Sequence, residues 1–155
     1  MAPYLLQSLV NKLRQLPGSD VIFLGAEPHI RITHIYNFEN GLKIKLPIEY
    51  KQFLLRYNGG YPMLVNFDYL IGNEKECSTI SYFLSISTRE NVSLFHFIQN
   101  YQNLFSNNLI PIAIDIYNNL ILLQFLNNEV YYWNCENDNI GLIATTFNKF
   151  LKSLY

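Results

Sequence analysis

Neither sign of charge predominates in this chain. Its 155 residues carry 11 Lys and Arg against 12 Asp and Glu, for a formal net charge of -1. Nucleic-acid binding relies on a basic footprint, and none is present. The balance equally excludes a strong acidic field of the kind that speeds capture of a very basic partner. Cysteine is scarce: Cys77 and Cys135 stand far apart and make no CxxC. A reducing compartment is the simpler setting for such a chain. No window approaches the ~18 consecutive apolar residues of a membrane span. The opening MAPYLLQSLVNKLRQL has neither a basic n-region nor a continuous apolar h-region, so the expectation is a soluble cytoplasmic protein without a secretory leader.

The residues of common catalytic constellations are missing as well. His29, His34 and His96 form no HExxH, and none stands at zinc-ligand spacing from a cysteine. There is no GxSxG elbow. Gly59-Gly60 lacks the Gly-Lys-Ser/Thr of a phosphate loop and closes a helix instead of opening one. Cys77 reads as part of a polar turn beside Lys75, a weak signal for a nucleophile. Glu136 and Asp138 flank a loop and read as solvated before they read as an acid/base pair. Arg31, Lys43, Lys45, Lys51 and Arg56 are the only basic concentration; with Glu39 and Glu49 among them they read as a solvated helical face. No catalytic, cofactor or metal residue is assigned.

What the chain does have is a core. Hydrophobic residues make up 50% of it, including 12 Tyr and 11 Phe. A chain of this length buries about two-thirds of its unfolded surface and needs neither disulfide nor metal to fold. The expectation is one domain over residues 1–155, with 1–19 as a helical extension, because Tyr4 to Leu16 recur at helical spacing before Pro17-Gly18. Val21 to Leu24 is a short apolar segment closed by Gly25. A second helix is expected over 30–40 with Gly41 as its stop.

The stretch LPIEYKQFLLRYNGGYP, residues 46–62, marks both ends of another helix. Pro47 suits its first position. Tyr50, Phe53, Leu54 and Tyr57 make one apolar stripe. Asn58-Gly59-Gly60 tolerates positive φ and lets the helix end, and Pro62 prevents its resumption. The period then changes. Met63, Val65 and Phe67 alternate as a strand, and 72–77 reads as a polar turn. Ile80, Tyr82, Leu84 and Ile86 alternate with Ser81, Phe83 and Ser85. Residues 91–105 return to helical spacing. Three strands follow at 109–114, 120–126 and 130–133, separated by Asn pairs that suit tight turns. Residues 135–139 read as a polar loop, and Thr145 or Thr146 as the cap of a last helix. In Tyr131-Tyr132-Trp133, alternation sets the outer two against the middle one, with the Tyr131/Trp133 side favoured as buried. The fold class is α+β: one mainly antiparallel sheet, with helices in the N-terminal half, mid-chain and at the C-terminus.

Three segments in order carry a resemblance. The first is Phe23-Leu24-Gly25 with the helix leading to Gly41-Leu42-Lys43-Ile44-Lys45-Leu46-Pro47. The second is Tyr50, Phe53-Leu54 and Tyr57-Asn58-Gly59-Gly60. The third runs from Leu109-Ile110-Pro111-Ile112-Ala113-Ile114-Asp115 and Asn119 through Val130-Tyr131-Tyr132-Trp133 to Ile143-Ala144-Thr145-Thr146-Phe147 and Phe150-Leu151. This order resembles the SUKH superfamily of Smi/Knr-type domains over about residues 20–155. Asn118 stands where that pattern has Gly, and Asn also tolerates a left-handed turn. The resemblance implies binding without catalysis. Bacterial members are mostly immunity proteins that hold a polymorphic toxin domain inactive, and fungal members are regulators or scaffolds of cell-wall synthesis. It implies a cognate toxin domain as partner, no nucleic acid, membrane or cofactor, and a monomer or weak oligomer. The alternatives are a regulatory scaffold without a toxin and an enzyme with a dispersed site. Leu46, Pro47, Tyr50, Gly59, Gly60, Pro111 and Trp133 are expected to specify the fold. A partner surface is expected where aromatics and acids meet in polar loops: Asp68, Tyr69, Tyr117, Glu136 and Asp138.

Overall fold

The computed structural model describes residues 23–24 and 27–155. The helix expected over 4–16, the extension at 1–19 and Gly25 lie outside the described residues. β1 (Phe23–Leu24) pairs antiparallel with β2 (Tyr61–Pro62). α1 spans Ile32–Leu42 and runs past Gly41, the expected stop. Its true terminus is Lys43, in the left-handed region at φ 57°, with its N–H bonded to the Glu39 carbonyl. A lone glycine is tolerated within a helix at modest cost, so Gly41 need not end one. At the other end the Arg31 N–H donates to His34 Nδ1 at 3.0 Å, which makes His34 a capping residue.

α2 spans Ile48–Tyr57, with Pro47 just outside it as N-cap. Its exit is as expected: Asn58, Gly59 and Gly60 all have positive φ. Gly59 is needed twice over. Beyond its φ of 80°, a Cβ would lie 2.6 Å from the Leu84 carbonyl oxygen.

Six strands make the main sheet: β3 (Asn66–Ile71), β4 (Glu74–Phe83), β5 (Leu109–Asp115), β6 (Leu120–Gln124), β7 (Val130–Trp133) and β8 (Ile140–Ala144). Each pairs antiparallel with the next, and β8 returns to β3, closing the sheet into a barrel. The antiparallel sheet is as expected; its closure is not, because the expected strands stop at 133 and residues 140–144 are assigned to none. At the β3–β8 seam Leu70 faces Leu142. A Cβ on Gly141 would stand 2.6 Å from the Leu70 carbonyl oxygen, so glycine permits this approach. Pro111 has no N–H to give a neighbouring strand, and it sits where the β5–β6 register shifts.

Other expectations are corrected. Only Gly72 and Asn73 form the turn before β4; Cys77 lies on β4 opposite Asp68. The alternation expected through residues 80–86 is broken by a bulge between Ile80 and Tyr82, which puts Ile80 and Phe83 rather than Tyr82 into the core. The helix expected over 91–105 is a 3-10 turn at Glu90–Val92, then α3 (Leu94–Asn100) and α4 (Gln102–Ser106). The break falls at Tyr101 (φ -122°, ψ 52°), whose ring meets Trp133 edge-on at 5.6 Å. α5 (Phe147–Ser153) is capped by Thr146, whose Oγ1 accepts the Lys149 N–H at 3.2 Å.

Aromatic packing joins these parts. Phe147 of α5 meets Tyr50 and Phe53 of α2 at 5.1 and 5.2 Å. Phe150 meets Phe67 and Phe83 of the sheet. Such edge and tilted pairs add about 0.5–1.5 kcal/mol each beyond the area they bury. Tyr132 faces Phe67 at 5.7 Å and is 3% exposed. Trp133 faces the other way and is buried beneath Tyr101. Trp133 is thus a core residue as expected, but Tyr131 beside it is only half-buried and Tyr132 is not the exposed member. Tyr101 covers one side of this strand, and Phe67 with Phe150 behind it covers the other, so alternation alone does not decide which side is wet. Among the described residues no helix is long and apolar enough to cross a membrane.

Candidate functional site

The polar groups of the fold converge on Asp115, the last residue of β5. It is 1% exposed and accepts five hydrogen bonds. Oδ1 takes the backbone N–H groups of Tyr117 and Asn119, both at 2.8 Å. Oδ2 takes Ser78 Oγ at 2.8 Å, the Tyr132 hydroxyl at 2.7 Å and Asn119 Nδ2 at 3.4 Å. A short acid at the start of a turn takes N–H groups from the residues that follow it, which tightens the β5–β6 connection. Asn118 supplies the left-handed step, φ 64°.

Asn119 carries the network onward. Its Nδ2 also donates to the Tyr132 hydroxyl at 2.8 Å, and its Oδ1 accepts the Cys135 N–H at 3.0 Å. The β5–β6 turn is therefore fastened to the β7–β8 turn. That second turn is held again by Trp133, whose Nε1 donates to Asp138 Oδ1 at 3.2 Å, and Asp138 is left-handed at φ 57°. Burial first, and the Asp115 carboxylate second, push the Tyr132 phenol well above its ordinary range. It is held as a hydrogen-bond donor and is not poised for proton transfer.

The residues expected at a partner surface fall into two groups. Tyr117, Glu136 and Asp138 stand on these two adjacent turns, with Tyr117 72% exposed. Tyr69 borders them through its ring, stacked on Tyr132 at 4.2 Å. Burial raises its phenol as well. Asp68 is separate: alternation turns it to the other face of β3. There it pairs with Lys75 at 2.8 Å and accepts the Tyr155 hydroxyl at 2.8 Å. Those two hydrogen bonds hold the Asp68 carboxyl below its ordinary range. The sequence reading passed over Asp115, Asn119, Tyr132 and Ser78 as a unit. An Asp four residues before an Asn, across a left-handed Asn118, was the available signal for the first two.

Glu39 is a further correction. Expected on a solvated face, it is 1% exposed. Its Oε1 accepts the Leu46 N–H at 3.0 Å and faces Lys51 at 3.3 Å. Among the described residues no group of three or more His, Cys, Asp or Glu is placed to hold a metal ion. Cys77 and Cys135 are free thiols. A cleft of about 790 Å³ near His29 and His34 is bordered by Glu27, which is paired with Arg89.

A closed antiparallel barrel flanked by helices, with a buried carboxylate saturated by hydrogen bonds and an aromatic held out on a fastened turn, is an α+β scaffold. The chain belongs to the SMI1/KNR4 family (SUKH-1), whose model matches residues 31–153. It is similar to an SPbeta prophage-derived uncharacterized protein YokK of Bacillus subtilis (strain 168). The two are 26% identical over 164 residues, which cover 93% of this chain and 85% of that protein.

Proposed function

We propose that this protein is an immunity protein: it binds a cognate toxin domain directly in the producing cell's cytoplasm, holds it inactive, and turns over nothing itself. The observation that carries this reading is membership of a family that includes immunity proteins. A relative of prophage origin accords with it. The site chemistry agrees. Asp115 has no oxygen lone pair directed at a substrate, because five donors occupy it. Tyr117 is a large amphipathic side chain on a turn whose backbone is tied at both ends, which lowers the entropy lost on binding. Glu136 and Asp138 beside it add acceptors to its rim. We read the chain as one domain acting as a monomer or weak oligomer.

The test is co-expression with the toxin domain encoded beside this gene. Cells should survive only when the protein is present. Tyr117→Ala with Glu136→Ala should weaken binding by at least about tenfold, as the loss of an interface anchor does. The melting temperature should hold, because neither side chain has a structural partner. Asp138 is left intact, since it holds the Trp133 indole. Binding without protection would favour a regulatory scaffold. Turnover of a small molecule by the purified protein would overturn the binding-only reading.

A further inference from the structure

A second cleft lies at the opposite end of β6 from Tyr117. It opens between the C-terminal end of α1 and the β6–β7 turn, and has a volume of about 730 Å³. Leu42, Ile44, Phe105, Phe125 and Leu126 form its apolar lining, and Lys43 and Lys45 stand among them. Leu126 is an exposed apolar side chain at its lip.

The charges around this cleft do not balance. Glu39 lies at its base and is claimed by two cations: Lys51 near Oε1, and Lys45 at 3.6 Å from Oε2. The Lys45 contact is too long for a hydrogen bond, and Oε2 has none. The Lys45 side chain is 80% exposed. Lys43 has no ion pair among the described residues. The charged residues that line the cleft are Lys43, Lys45 and the buried Glu39, which leaves one positive charge over on the two lysines at its mouth. Lys43 also occupies a left-handed backbone position that favours glycine or asparagine. A lysine kept there carries a side chain to the cleft at a conformational cost.

We propose that this cleft is a second protein contact, and that it takes an apolar side chain flanked by carboxylates from an acidic segment of a partner. The apolar side chain fills the space between Ile44, Phe105 and Leu126. The carboxylates pair with Lys43 and Lys45, and Lys45 exchanges a long contact with Glu39 for a direct one. A cationic segment drawn to Glu39 is disfavoured. Oε2 presents almost no surface, and the newcomer would enter past Lys43 and Lys45. The inference rests on the protein-binding reading only in taking the occupant to be a polypeptide.

The probe is the peptide acetyl-Asp-Glu-Phe-Asp-Glu-amide, titrated into the ¹⁵N-labelled full chain by NMR. The amides of Lys43, Ile44, Lys45 and Leu126 should shift. Binding should weaken about tenfold when Phe is replaced by Ala, and should fall with added salt. The version with lysine at every acidic position should not bind there. Lys43→Gly should weaken binding about threefold while leaving the melting temperature equal or higher, since glycine relieves the backbone. Binding of the lysine peptide at this site, shifts confined to other residues, or no shift up to millimolar peptide would each overturn the proposal. Toxin protection is read separately, so loss of one reading leaves the other standing.

Discussion

Asp115 and Glu39 are buried to the same degree, 1% exposed each, yet their surroundings differ in kind. Asp115 is met entirely by neutral donors: two backbone N–H groups, two hydroxyls and a side-chain amide. Glu39 is met by one backbone N–H and two lysines, and one of its oxygens has no hydrogen bond. Hydrogen bonds have fixed geometry and short reach, whereas a charge on a long flexible stem has neither. The first arrangement locks two turns together. The second leaves a side chain, Lys45, able to leave its partner. Burial alone therefore does not tell a structural acid from an adaptable one; the donors around it do.

Replacing each acid tests that difference. Asp115→Ala removes the acceptor of all five hydrogen bonds at a buried site, and a broken network of this type costs about 3–5 kcal/mol. Urea unfolding should show that loss, or the variant should fail to fold. Glu39→Gln keeps an acceptor for the Leu46 N–H and loses only the ionic part, so a loss of about 1–2 kcal/mol is expected in the same measurement. Equal losses would erase the distinction.

The smallest effect belongs to the half-buried acid, Asp68. Lys75 and Tyr155 hold Asp68 below the ordinary carboxyl range in the fold. Its contribution is therefore full above the unfolded value of about 3.9 and is lost as pH falls through the lower folded value. Lys75→Met should shift the melting temperature at neutral pH by less than about one degree. NMR titration of the Asp68 carboxyl should nevertheless move back up. A large thermal shift would mean that exposure is not what separates Asp68 from the other two.

The sequence made local structure readable where one residue type has one physical use. Asn58-Gly59-Gly60 reads as a helix end, and Thr145-Thr146 as a helix start, of which the fold uses Thr146. It failed where tertiary packing overrode a local sign. Gly41 was passed over by α1, and the bulge at Ile80 reversed the facing of Tyr82 and Phe83. β8 escaped because Ile140–Ala144 is short and carries the glycine that its seam requires. At the candidate site Tyr117, Glu136 and Asp138 were legible as loop residues of suitable chemistry. Glu39 was not, because a glutamate among lysines looks the same in sequence whether it is wet or buried.

The β3–β8 seam has a meaning for the order of events during synthesis. Leu70 and Leu142 are 72 positions apart (142 − 70), and bringing such distant points together costs on the order of 4 kcal/mol of chain entropy. The strand that closes the sheet and the helix whose Phe147 and Phe150 fill its core are both made after the strands they complete. Until they emerge, β3 keeps a bare edge and Tyr50, Phe53 and Phe67 lack their covering rings. Such exposed edges and apolar faces are what aggregating chains share. The fold cannot be completed in instalments: its sheet closes, and its core is covered, only once β8 and α5 have both been made.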